Sequence, residues 1–557
     1  MKKTPYILLA LSVAGIQALS AQTGKNDTIA KRSIVIERDY IPTIKDVKKP
    51  EVTPVITEPE IKRAAVTYSD KVTLLEPAYE PNRWQAAATR IEPARAHKGY
   101  ALLGIGFYGT GIGDLLCPIV DDATRSLTLE AHALALFGNK QQKLVTNFGL
   151  DYKHSFEHLD LNIGTYFKRT GFNYYGSPYL TGGMRPYKDS TNHFVNFGVY
   201  AGIKSRNDKE STGYALKVQY NNFTPGVGVR EQQIHTTGNI EVPLAENRLG
   251  LDADVRNLIY SGSPDSAVTS HAIIGLAPYF ALAGESWKVR IGFKDYIATG
   301  GGEKKINLMP DISAQINLIN TVTVYGGITG EYSVNTFEQT TSENSYINMF
   351  TRPQNSYAPF DFYGGIKTSP LPGWTVNGSV DYKTYKKQYF YVNSFYLPLG
   401  PFPANIIVFP TVYPWFETVA DKADLLTAAL NTSYNWRDQV NVHFGIRYND
   451  WNTKTLEHAW MRPATEVETG AEVKLNQHLF VNANYYFAGG RYASGYNGSS
   501  SVKMNNISDL SLGASYSYSD WLTAFVRFNN VLGCKYQTWF GYDALRTNMQ
   551  IGAAFTF

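Results

Sequence analysis

The residues able to do chemistry in this sequence are spread thinly, and no motif gathers them. Gly104, Gly106 and Gly109 formally satisfy G-x-G-x-x-G. A dinucleotide site needs those glycines between a strand and a helix, so that helix amides meet the pyrophosphate. Here they run on into Gly111 and Gly113 with no helical pattern behind them, which suits glycines on a strand where backbones approach closely. Neither a G-x-S-x-G elbow nor an H-E-x-x-H helix occurs. The ten histidines are scattered, and His154 and His158 flank a tight turn where solvated imidazoles are ordinary. We expect no enzyme, no cofactor and no metal.

The charged side chains that recur do so with a period of two. Asp252, Asp254 and Arg256 alternate with Leu251, Ala253 and Val255; Lys288, Arg290 and Lys294 oppose Trp287, Val289, Ile291 and Phe293. Arg447 opposes Phe444 and Ile446, and Arg527 opposes Leu522, Ala524, Val526 and Phe528. The last segment places Met549, Ile551, Ala553, Phe555 and Phe557 on one face. Side chains of a strand alternate between its two faces, so these charges share one side of a sheet and the apolar residues the other. In a closed barrel that side is the lumen, making Asp252, Asp254, Arg256, Lys288, Arg290, Lys294, Arg447 and Arg527 lumen-lining candidates.

Three features favour a transmembrane barrel over a soluble sandwich. The segments run to about ten residues, enough to cross a bilayer at a tilt. Tight turns, such as Gly284-Glu285, Pro372-Gly373, Arg437-Asp438 and Asn476-Gln477, alternate with long connections such as Asn335 to Ser356 and Lys387 to Trp415. Short turns on one side and long loops on the other are the pattern of outer-membrane barrels. Composition agrees, with 39 Tyr, 28 Phe and 47 Gly beside only 7 Met. The expected fold is all-β, a closed antiparallel barrel of about 22 strands, with 20 as the other even count and residues 99–125 the uncertain part. A net charge of +4 without a basic tract argues against nucleic acid as a partner. Membrane lipid is the expected surroundings, and no solute can be named.

Residues 1–21 read as a signal peptide: Lys2-Lys3, an apolar run from Tyr6 to Ile16, then Ala18-Leu19-Ser20-Ala21. Residues 22–98 form a Pro-rich extension in which Pro42, Pro50, Pro54 and Pro59 forbid a continuous helix or central strand. It is expected to fill the lumen or to engage a periplasmic protein. Residues 99–557 are the barrel, which the secretory route and the strand pattern assign to the outer membrane. Cys117 and Cys534 fall near the two ends of that barrel's sequence. First and last strands meet at a barrel's seam, so a disulfide between them is one reading and two separate small apolar side chains the other. Tyr389 to Phe416 crowds aromatics with Pro, which suits a docking surface or loops packed over a barrel mouth.

The final stretch WLTAFVRFNNVLGCKYQTWFGYDALRTNMQIGAAFTF resembles the last two strands of TonB-dependent receptors. Val531, Tyr536, Gly541, Tyr542, Arg546, Gly552 and Phe557 fit that family's layout of an Asn-rich strand end, a Tyr, a Gly-Tyr loop and a closing strand ending in Phe. The resemblance implies a receptor-type barrel in transport. That family also carries a folded plug before the barrel, for which residues 22–98 are too short, so the chain looks like a plug-less relative. This implies a channel or transport protein; the alternative is a non-conducting scaffold that anchors a periplasmic or surface complex.

Overall fold

The computed structural model describes residues 99–557 apart from 139, 177–184, 187–190, 207–210, 263–267, 301–304, 352, 397–410, 438 and 496–500. The expected signal peptide, the Pro-rich extension, Asp438 and the middle of the aromatic Tyr389–Phe416 stretch lie outside the described residues.

Alternation drives the whole architecture. One sheet contains β1 Tyr100–Gly106, β2 Thr110–Asp121, β3 Arg125–Phe137, β4 Gln142–Ser155, β5 Leu159–Asn173, β6 Thr191–Ser205 and β7 Gly213–Pro225. It continues through β8 Arg230–Leu244, β9 Asn247–Ser261, β10 His271–Ala283, β11 Trp287–Gly300, β12 Lys305–Ile319 and β13 Val322–Ser333. Next come β14 Ser356–Leu371, β15 Trp374–Tyr396, β16 Thr411–Trp436, β17 Val440–Thr453 and β18 Thr465–Lys474. The last four are β19 Leu479–Gly489, β20 Ile507–Ser519, β21 Leu522–Asn529 and β22 Asn548–Thr556. Each strand pairs antiparallel with the next, and β1 pairs with β22 from Tyr100↔Thr556 to Gly106↔Gln550. Closure leaves no strand edge for lipid to solvate, because the last ladder is completed by Gly99 and Phe557 exchanging backbone hydrogen bonds at 2.8 and 3.0 Å. The barrel has 22 strands.

The uncertain stretch 99–125 supplies two of them. β1 and β2 are joined by Phe107–Gly109, where Tyr108 (φ 58°) and Gly109 (φ 61°) both adopt the left-handed backbone that a tight reversal requires. The G-x-G-x-x-G match is explained by packing at the seam. A Cβ on Gly104 would lie 2.8 Å from Ile112 and 2.9 Å from the Phe525 ring.

Both barrel ends of the sequence, Gly99 and Phe557, lie at the end of the tight turns. The long connections, among them 174–190, 334–355, 454–464, 490–506 and 530–547, gather at the other end. Outward-facing Leu249, Ile259, Ile291, Phe293, Ile312, Phe362 and Leu430 are exposed. Along β9 the apolar face from Leu249 to Ile259 covers roughly 25 Å once a strand tilt of about 40° is counted. Trp287, Trp374, Trp436 and Trp521 stand exposed around the turn end, forming one aromatic girdle.

The two cysteines do not meet, and both are free. Although β1 runs from the turn end to the loop end, β2 returns, carrying Cys117 back toward the turns, opposite Leu129. Cys534 sits in the last loop, its amide donating to Asn530 Oδ1 at 3.2 Å. The expected bridge placed Cys117 at the first strand's outer end; the tight Phe107–Gly109 reversal puts it one strand later and near the opposite rim.

Candidate functional site at the barrel mouth

The lumen-lining candidates lie on the face opposite the exposed apolar rows, and five of them form one charged belt on β9 and β11. Arg290 is its hub: Nη2 donates to Asp252 at 2.7 Å and Nε to Asp311 at 2.8 Å. Lys294 reaches Asp311 at 3.0 Å and Thr329 at 2.8 Å. Asp254 accepts from Arg256 at 3.2 Å and lies 3.2 Å from His235 Nε2. The belt continues through Lys383, which reaches Glu331 at 3.4 Å and Asp361 at 3.2 Å. Lys288 stands apart near the turn end, Arg447 faces Glu466 across the β17–β18 ladder, and Arg527 lies on the far wall opposite Gln550. Asp311 joins the cations of β11, and the sequence signal for it was present: it alternates with Ile312 on a strand otherwise rich in outward Ile and Leu.

Above this belt the loops fold inward. Between β13 and β14 lies a short helix, α1 Phe337–Glu343. Thr336 caps it, its hydroxyl accepting from the Gln339 N–H at 3.1 Å. The spacing Thr336-x-x-Gln339 is a helix-start signature that the sequence carries in the open.

Both ends of α1 are fastened to the barrel. At the first turn, the buried Glu231 of β8 accepts the Phe337 N–H at 2.9 Å and the Glu338 N–H at 3.4 Å. A carboxylate suits this place, because the first helical amides lack intrahelical partners. Glu338 is in turn bonded by the side-chain amides of Asn196 on β6 and Asn221 on β7. Burial pushes the Glu338 carboxyl above its ordinary range, against the pull of those amides and of Lys168. At the last turn, Glu343 accepts from Tyr389 at 2.6 Å, Tyr391 at 2.8 Å and Arg462 at 2.8 Å. The Arg462 guanidinium also stands 5.4 Å from the Tyr389 ring centre.

The rest of the cap is apolar. Phe172, Phe194, Phe223, Val229, Phe337, Ile347, Met349, Tyr389, Tyr391, Trp415, Phe416, Met461, Met504, Phe540 and Tyr542 form one buried cluster drawn from many strands and loops. Tyr346 stacks on Tyr542 at 3.6 Å, and Phe416 exchanges backbone hydrogen bonds with the 346–348 segment at 3.0 and 2.7 Å. Of the aromatic stretch, Tyr389, Phe390, Tyr391, Trp415 and Phe416 are buried, so these residues pack over the mouth and present no docking face.

The last loop shows why its residues are of the types they are. Asn530 takes a left-handed backbone (φ 46°) and donates to the carbonyls of Cys534 and Leu545, both at 3.1 Å. Tyr536 donates to Asp509 at 2.7 Å, and Gly541 (φ 88°) turns the chain so that Tyr542 enters the cluster. Arg491 ties the same loop to its neighbour, donating to the carbonyls of Thr538, Gln537 and Asn505 at 3.0, 2.7 and 3.1 Å.

The outer-membrane ferripyoverdine receptor of Pseudomonas aeruginosa, solved with ferripyoverdine bound, superposes with a TM-score of 0.60 at 13% identity, over 83% of this chain and 72% of that one. The siderophore receptor PirA of Acinetobacter baumannii gives 0.59 at 11% identity, over 82% and 80%. The ferric-catecholate import receptor Fiu of E. coli K12, in its closed form, gives 0.58 at 9% identity, over 83% and 82%. This chain has their barrel fold. The receptor-like ending of the sequence therefore belongs to a receptor-like barrel. No family model and no curated protein matches the sequence.

Among the described residues, no group of three or more His, Cys, Asp or Glu side chains could hold a metal ion. Neither fastening of α1 could be read from the sequence, since Glu231 lies over a hundred positions from Glu338, as Glu343 does from Arg462.

Proposed function

We propose that this chain is an outer-membrane transport barrel, non-enzymatic, whose outward mouth is shut at rest by its own loops. The observation that carries the reading is α1, wedged across the mouth and fastened at its start by the buried Glu231 and at its last turn by Glu343, above a wall of mixed charge. A polar lumen suits passage of a hydrophilic solute, and a helix that lies in a loop, outside the backbone ladders of the wall, suits a part that can be released. The structural neighbours are receptors for siderophores. What we extend from them to this chain is only a receptor-type barrel that serves import. The extension 22–98 is proposed to engage a periplasmic protein or to fill the lumen.

Planar-bilayer recording of the purified full chain tests this reading. Wild type is expected to be silent, and replacement of Thr336 to Met349 by a short Gly-Ser linker should produce steady ionic conductance. If residues 22–98 also fill the lumen, their deletion in the linker variant raises conductance further. If they dock a periplasmic partner, conductance is unchanged and a co-purifying protein is lost. A correctly folded linker variant that stays silent, with and without the extension, would overturn the transport reading in favour of a non-conducting scaffold.

A further inference from the structure

The two fastenings of α1 differ in kind. Glu343 meets a cation and two hydroxyls, so its charge is matched where it sits. At the other end two carboxylates, Glu231 and Glu338, face each other across the helix start. The first is 1% exposed and spends its oxygens on backbone amides. The second is met by neutral side-chain amides from β6 and β7. The surrounding elements bring few other charges. β5 contributes Lys168, whose field reaches Glu338, and Tyr166. β9 contributes Tyr260, whose ring stacks at 5.9 Å on His271 of β10. Against the far end of the helix stand Tyr389, Tyr391 and Arg462.

We propose that the Glu231–Glu338 end of α1 is a pH-responsive latch, and that the charge-paired Glu343–Arg462 end is the anchor about which the cap opens. The inference rests on the reading of α1 as a movable cap. The physical reason is like-charge proximity under burial: two carboxylates in one dry site cannot both ionise cheaply, whereas opening hydrates them. Burial raises the Glu338 carboxyl in the closed state. The closed cap therefore binds a proton more tightly than the open one. Closure is favoured below the ordinary carboxylate range, and that advantage is lost as pH rises through the raised value. A difference of one pKa unit between closed and open states alters the opening equilibrium by about tenfold at most.

The test does not depend on conductance. In a full chain with both native cysteines changed to serine, Thr341→Cys places a thiol inside the closed cap, and Ser342→Cys places one on its exposed side. The ratio of their maleimide labelling rates cancels the effect of pH on the thiol itself. The ratio should be low at pH 4, below the ordinary carboxylate range, and rise several-fold by pH 8.5. Glu338→Gln should flatten that rise, while Glu343→Gln should raise the ratio at every pH and leave its pH dependence in place. A ratio that does not change with pH in the parent chain would overturn the latch, as would a pH response that survives Glu338→Gln. A latch that passes this test while the linker variant stays silent in bilayers leaves a pH-sensitive cap on a barrel that does not transport.

Discussion

Around Asp311 the lumen wall sets Arg290 and Lys294 within 3.0 Å of one carboxylate. Around α1, the carboxylates of Glu231, Glu338 and Glu343 are met by tyrosine hydroxyls, side-chain amides, helix amides and one arginine. The contrast lies less in these contacts than in what fixes their geometry. Asp311 and Arg290 ride on strands whose position is set by unbroken backbone ladders, Arg290 opposite Ser313 and Asp311 opposite Gly292. The side chains of the belt meet because the wall brings them together. The cap has few ladder contacts of its own, and its shape comes from the apolar cluster and the fastenings at the ends of α1. Changes in the belt should therefore alter the lumen without moving the barrel, whereas single changes in the cap should alter whether the mouth is shut.

The anchor at Glu343 should give the largest effect of a single substitution. Glu343→Gln leaves the mostly buried Arg462 without its counter-charge, and breaking a buried pair from one side costs about 3–5 kcal/mol, less here because Arg462 keeps some solvent contact. The expected outcome is frequent opening events in bilayer recordings with no loss of heat-resistant barrel mobility on gels. Arg462→Met together with Glu343→Leu, which removes both charges, should restore much of the closure. If the double variant opens as freely as the single one, the anchor acts through something other than charge.

Asp311→Asn should have a smaller effect, and on a different property. It leaves Arg290 and Lys294 facing the lumen with less counter-charge, at a cost of about 1–3 kcal/mol to the local network. In the linker variant the current should become more anion-selective, read as a shift in reversal potential across a salt gradient, while barrel stability barely changes. An unchanged reversal potential would place the conducting path away from the belt.

The sequence made the wall legible because a wall obeys a local rule. Alternation around Leu249–Val255 and Trp287–Phe293, with long loops at one end only, is enough to set which residues face inward. The eight charged candidates follow from that parity. Strand number was harder, since Gly104–Gly113 reads as one glycine-rich run until the reversal at Tyr108 and Gly109 divides it. The cap was not legible for a different reason. Its contacts join residues over a hundred positions apart, and no periodicity relates Glu231 to Phe337 or Glu343 to Arg462. Only Thr336 and Gln339 announced locally that a helix would interrupt the loop. The aromatics of Tyr389–Phe416 marked the right place, and their burial needed the other loops to be in view.

If the loops shut the outward mouth, a reagent outside the cell cannot reach the lumen beneath them. Ser313 lies on the inner face of β12 beside Asp311, below the cap. Ser313→Cys, with both native cysteines changed to serine, can be probed on intact cells with a bulky membrane-impermeant maleimide. No labelling from outside is expected with the cap intact, and rapid labelling once Thr336 to Met349 is replaced by the linker. Rapid labelling of Ser313→Cys with the cap intact would contradict a shut mouth.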